Sequence, residues 1–144
     1  QEKIASIVKQ LVESKNTATA IKSKLSKEDK KKYKDQIKSS EDITKQIDTL
    51  IAKYLGTIDK RQGITRNPEV TVNQRLGLAI RYIRSRFGEQ TSTESVLMNQ
   101  FKEEFKKTVS ETNMFFNEDW VAYKSSVENI KISDFKETKI YSTN

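Results

Sequence analysis

The sequence has 144 residues and contains no histidine, no cysteine and a single proline. That length suits one ordinary domain, able to bury roughly two thirds of the surface its unfolded chain would expose. Without imidazole or thiol side chains the chain excludes zinc hydrolysis, disulfides and the Ser-His and Cys-His nucleophile systems. The formal charge of +7 is unevenly placed, since 16 basic and 9 acidic side chains precede residue 67 and 11 of each follow it. A basic first half could meet nucleic acid, anionic lipid or an acidic protein surface, and it could equally be a lysine-rich solvated face.

Apolar residues make up only 34% of the chain, yet they fall in helical periods, so order is expected rather than disorder. There is no apolar run long enough to cross a bilayer, and Gln1-Glu2-Lys3-Ile4 has neither the basic nor the apolar region of an export signal. The chain also starts without methionine and directly inside a helical pattern. A processed chain, or a C-terminal part of something longer, is therefore expected.

Helix one is expected at about residues 2–25. Ile4, Leu11, Ala18 and Leu25 recur at sevens, with Ile7, Val8, Val12 and Ile21 beside them. Ser26, with acids at Glu28 and Asp29, looks like a helix start and places helix two at about 27–56. Its seam is Tyr33, Ile37, Ser40, Thr44, Ile47, Ile51, Tyr54 and Ile58, in alternating steps of four and three, widened by Ile43, Leu50 and Leu55. Ser40 and Thr44 are small, and they mark a place where a neighbouring helix could approach closely. Lys27, Lys30, Lys31, Lys32 and Lys34 crowd the start of this helix, where cations oppose the dipole. They form a candidate patch for an anionic partner, offset locally by Glu28, Asp29 and Asp35. Tyr33 is the one aromatic among them and fits the seam, so no stacking platform for single-stranded nucleic acid is visible.

Thr71 with Gln74 forms a capping box that opens helix three, expected at about 71–87, with a stripe of Val72, Leu76, Ala79, Ile80, Ile83 and Phe87. Arg75, Arg81, Arg84 and Arg86 lie on its outer side without forming one cluster. Thr91 with Glu94 opens the longest pattern, expected at about 92–129 and kinked near Asn113–Asn117. Leu97, Phe101, Phe105, Val109, Thr112, Phe116, Trp120, Tyr123, Val127 and Ile130 define it, and an aromatic stripe at this spacing reads as core. The adjacent acid pairs Glu28/Asp29, Glu41/Asp42, Glu103/Glu104 and Glu118/Asp119 point about 100° apart on a helix and do not converge on a metal or a substrate. No cofactor is expected.

The interruption from Gly56 to Val70 holds two of the four glycines and the proline. Its length exceeds the usual two to eight residues of a helix–helix connection, which suggests an ordered strap. Gly63 permits positive backbone angles, Pro68 forces Asn67 extended, and Arg61, Gln62 and Arg66 are suited to hydrogen-bond helix ends.

The segment Gln62-Gly63-Ile64-Thr65-Arg66-Asn67-Pro68, followed by Val72-Asn73-Gln74-Arg75-Leu76 and Ala79 to Tyr82, resembles the C-terminal helical region of secreted proteins with a sialidase-like or sortilin-like β-propeller, which carry BNR repeats and a glycosyl hydrolase label. The likeness continues through Thr112-Asn113-Met114-Phe115-Phe116-Asn117, Trp120, Tyr123, Val127-Glu128 and Ser133-Asp134-Phe135, and so covers about residues 55–135. It implies a secreted or cell-envelope setting and an accessory role beside the protein's own propeller or another protein. It brings no catalytic residue to this chain, because any glycan site of such proteins would lie in the propeller.

These readings lead to an all-α fold, a single antiparallel up-down four-helix bundle with a long ordered loop between helices two and three. A pair of helical hairpins set end to end is the alternative. The expected function is a non-enzymatic interaction domain, with Arg61, Gln62, Gly63, Arg66, Pro68 and Trp120 in structural or interface roles. The competing reading is a basic module that engages nucleic acid or anionic surfaces through Lys27–Lys34.

Overall fold

The computed structural model describes residues 1–57, 70–85 and 92–130, and these are helical with no strand among them. The helices are α1 (Glu2–Glu28), α2 (Lys34–Leu55), α3 (Val72–Arg84), α4 (Ser92–Asn117) and α5 (Asp119–Glu128). The all-α class expected from the sequence is what is seen.

The heptad stripe of α1 is its buried face: Ile4, Leu11, Ala18 and Leu25 are all in the core. Full burial of a leucine such as Leu11 or Leu25 contributes about 1.5–3 kcal/mol. The expected boundary after α1 is corrected. Ser26 opens no helix, because α1 runs on to Glu28. The chain leaves helical geometry at Asp29, whose backbone is extended at φ −153°. Its carboxylate accepts the N–H groups of Lys31 and Lys32, both at 3.0 Å. Asp29 therefore caps the turn, and α2 begins at Lys34 instead of near residue 27. A carboxylate at the break satisfies two free amides where a serine inside α1 satisfies none.

Gly56 ends α2 with φ 88° and ψ 177°, and its N–H closes on Ala52 O at 2.7 Å. This backbone region is open essentially to glycine alone. Thr71 packs close by, since a methyl added at Gly56 would meet Thr71 Cγ2 at 3.3 Å. Helix α3 thus starts beside the end of α2. The Thr71 capping box is present as expected: Thr71 Oγ1 accepts from Gln74 N at 3.2 Å, and Gln74 Oε1 accepts from Thr71 N at 3.0 Å.

The long last pattern is divided at Glu118, one residue beyond the expected kink. Hydrogen bonds from Glu118 N to Met114 O (2.9 Å) and from Ala122 N to Glu118 O (3.0 Å) carry the backbone through the interruption. The two segments follow one another as a bent helix.

Helix α2 packs against each of the other four. Against α1, Lys15 pairs with Asp48 at 2.6 Å and Lys22 with Glu41 at 2.8 Å, so the two helices run antiparallel. Against the last helices, Tyr54 bonds Thr112 and Ser40 bonds Tyr123, each at 2.9 Å, so α4–α5 also runs antiparallel to α2. In an up-down-up-down bundle the second and fourth helices are parallel, and these two pairings do not fit that order. Two partners, α1 and α4–α5, share the α2 seam and account for its width. Ile37, Ile43, Ile47, Leu50 and Tyr54 are all buried, and most of them join one cluster with Ile4, Leu11, Val72, Leu76, Phe115 and Tyr123.

Candidate functional site

Of the residues singled out from the sequence, Arg61, Gln62, Gly63, Arg66 and Pro68 lie outside the described residues. Trp120 is half-buried, with its ring 6.4 Å from Phe115, 6.4 Å from Phe116 and 5.5 Å from Tyr123. These four aromatics fasten the bend between α4 and α5 onto the core, which is a packing role. Lys27, Lys30, Lys31, Lys32 and Lys34 are all exposed around the α1–α2 turn, and Lys32 Nζ stands 5.1 Å from the centre of the Tyr33 ring. The structure thus gathers these five cations at one end of the α1–α2 hairpin.

Sequence reasoning missed a groove between α2 and the bent helix α4–α5. Asp35, Lys38, Ser39, Asp42, Ile43 and Gln46 from α2 face Asp119, Ala122, Tyr123 and Ser126 from α5 across a depression of about 480 Å³. A second depression of about 300 Å³ continues it, where Gln46, Thr49 and Leu50 face Glu111, Met114, Phe115, Glu118 and Asp119. Gln46 and Asp119 line both, so the two form one channel. Ile43, Leu50, Phe115 and Tyr123 are buried along its floor, whereas the Met114 side chain is 57% exposed. Five carboxylates edge the channel, against Lys38 as the one described cation. Glu111 is held by Lys53 at 2.6 Å and Asp42 approaches Lys45 at 3.8 Å. Asp35, Glu118 and Asp119 make no ion pair with another described residue.

Two buried hydroxyl pairs hold the walls of this groove together. Ser40 Oγ donates to Gln36 O at 2.9 Å, so its single proton is committed and the Tyr123 hydroxyl donates to Ser40. Thr112 Oγ1 likewise donates to Thr108 O at 2.8 Å and accepts from Tyr54. Burial raises the phenol pKa of both Tyr54 and Tyr123, against the opposing effect of these hydrogen bonds. On the α1 side, the hydrogen bond and charge of Lys22 lower the pKa of the exposed Glu41 carboxyl. Among the described residues no group of three or more carboxylates converges to hold a metal ion.

A second surface lies on α3. Val72, Leu76 and Ala79 face the core, but Leu78, Tyr82 and Ile83 are left more than two fifths exposed. The spacing of Leu76, Ile80 and Ile83 predicts core for all three, and Ile83 does not reach it. Leu78 and Tyr82 are one helical turn apart on a different side of the helix, which a single-stripe reading passes over. Near this edge, Arg75 has a buried Nε without a hydrogen-bond partner. No protein-family model, curated protein or solved structure matches this chain.

Proposed function

We propose that this chain is a non-enzymatic helical accessory domain that docks on another domain or protein, in the manner of the helical region beside the propeller of secreted or cell-envelope sialidase-like and sortilin-like proteins. The observation that carries the docking role is the exposed apolar edge of α3, with Leu78, Tyr82 and Ile83 in solvent on the helix that buries Val72, Leu76 and Ala79. Tyr and neighbouring Arg side chains are frequent interface anchors, and Arg75 lies one turn from Leu78. The resemblance carried by the preceding segment motivates the propeller context, with Arg61, Gln62, Gly63, Arg66 and Pro68 as candidates for structural or interface roles. Trp120 serves the internal packing. The antiparallel pairings and the closeness of Thr71 to Gly56 support a layout of two hairpins, α1–α2 and α3–α4, set end to end, with α4–α5 returning along α2.

The test is the full-length gene product together with a binding measurement. A propeller encoded upstream, produced as a separate chain, should bind this domain, and Leu78→Ser with Tyr82→Ser should weaken that binding. A gene product without any further domain would remove the propeller context, and binding unchanged by the α3 variant would remove the interface.

The five exposed lysines at the α1–α2 turn favour a second reading, a module for anionic partners. A fluorescent oligonucleotide bound through phosphate contacts would lose affinity steeply as salt rises. Absence of binding at low salt rejects this reading.

A further inference from the structure

The groove between α2 and α4–α5 sets carboxylate edges over an apolar floor, and we propose that it receives a cationic amphipathic helix from a protein partner. This deepens the interaction-domain reading and rests on it, but it uses a different surface. Charge complementarity selects the occupant. In a chain with net charge +7, the channel is edged by Asp35, Asp42, Glu111, Glu118 and Asp119. An anionic ligand such as a nucleic acid is repelled there, and a purely apolar one offers no counter-charge to Asp35, Glu118 and Asp119.

Shape selects a helix. The lining residues on α2 run from Asp35 to Leu50, which spans about 22 Å of helix axis and matches about 14 residues of an incoming helix. A furrow between two packed antiparallel helices offers a continuous apolar floor with polar edges, the arrangement into which an amphipathic helix lays its apolar face. Ile43, Leu50 and Phe115 supply that floor, and Met114 projects over it from α4 with its flexible thioether free to fit the incoming side chains. Lysine or arginine on the flanks of the guest would meet Asp35 and Asp42 on one edge and Glu118 and Asp119 on the other. The lysine-rich turn at residues 27–34 adjoins the Asp35 end of the groove, and none of its five lysines lines it.

The test uses a fluorescein-labelled peptide of about 14 leucine and lysine residues at helical spacing, titrated with the whole chain and followed by anisotropy. A leucine and glutamate peptide of the same pattern is the control. The lysine peptide should bind with an affinity that falls as salt rises, and the glutamate peptide should not bind. Asp42→Lys with Glu118→Lys should lower the affinity by about tenfold or more, and Met114→Ala by about threefold. All three positions are exposed, so the helical circular dichroism should be unchanged.

Failure of the lysine peptide to bind at low salt overturns the proposal, as does equal binding of the glutamate peptide or indifference to the charge reversal. Sedimentation provides a further check. A concentration-dependent dimer abolished by the charge reversal would assign the groove to a second copy of the chain and reject the proposed occupant. Leu78→Ser with Tyr82→Ser should leave peptide affinity as it is. If that variant abolishes peptide binding and the groove variants do not, binding belongs to α3, and the groove proposal fails while the interaction-domain reading stands.

Discussion

Substitution of Ser40 by alanine probes how α2 holds α5. The Ser40 hydroxyl donates to Gln36 O and accepts from the Tyr123 hydroxyl, and both side chains are buried. Ser40→Ala removes the acceptor and leaves a buried phenol O–H unpaired, which costs about 1–3 kcal/mol. Tyr123→Phe removes the donor instead. Ser40 keeps its bond to Gln36, so the cost should be smaller, about 0.5–1.5 kcal/mol. The double variant leaves no orphan, and its loss should fall short of the sum of the single losses by about 1 kcal/mol. For a chain of this size each kcal/mol lowers the melting temperature by about 3 °C. Urea and thermal melts followed by circular dichroism on the parent and three variants complete the cycle. A Ser40→Ala melting temperature within about 1 °C of the parent, or strictly additive losses, would refute the directional hydrogen bond on which the α2–α5 pairing rests.

Two glycines should respond in opposite directions. Gly56→Ala forces a side chain into φ 88° beside Thr71 Cγ2 and should cost about 1–3 kcal/mol. Gly77→Ala, inside α3 with nothing within 4 Å of the new methyl, should gain about 0.5–1 kcal/mol; urea midpoints moving the same way for both would contradict this geometry. Alkaline pH should destabilise the fold through Tyr54 and Tyr123, whose pKa values burial raises above 10.0. Both phenols are neutral in either state below that pH. Above it the unfolded chain loses its phenol protons first, so stability falls from about pH 10 upward. The Tyr54→Phe/Tyr123→Phe variant should show a shallower alkaline decline in urea midpoint than the parent, and an equally steep one would discount the buried phenols. At acid pH the sign reverses for Glu41: Lys22 lowers its pKa below 4.5, so its contribution is present above the unfolded value and lost as pH falls through the folded one. In an NMR titration the Glu41 carboxyl should return toward its ordinary pKa in Lys22→Ala, and an unmoved titration would exclude the pair.

Helix periodicity is a local property, and the parts of this fold that depend on it could be read from the chain. Ile4, Leu11, Ala18 and Leu25 announce their burial by spacing alone, because any helix with that stripe must cover it. The Thr71–Gln74 box is equally local, with donors and acceptors three residues apart. The start of α2 is local too, yet Ser26 drew the boundary away from Asp29. A serine continuing a strong stripe remains helical, whereas an acid after Leu25 can gather two amides and turn the chain.

The direction of α4 past α2 depends on partners more than fifty residues apart, and one-dimensional periodicity carries no sign for parallel or antiparallel. What did carry information was the interruption of the α2 stripe by Ser40 and Thr44. A hydroxyl in an otherwise apolar seam is costly unless something meets it, and Tyr123 meets Ser40 from a helix 83 residues later. Thr112, on the α4 stripe, meets Tyr54 by the same logic. The two polar steps in the seams are thus the positions that fix which residues of α4–α5 lie against which residues of α2, since sliding either helix by a turn would bury both phenols without an acceptor. That register in turn creates the groove. Asp35 and Asp42 on one helix, and Glu111, Glu118 and Asp119 on the other, each read alone as solvated faces. They become opposing walls because the hydroxyl pairs below them hold the helices in place.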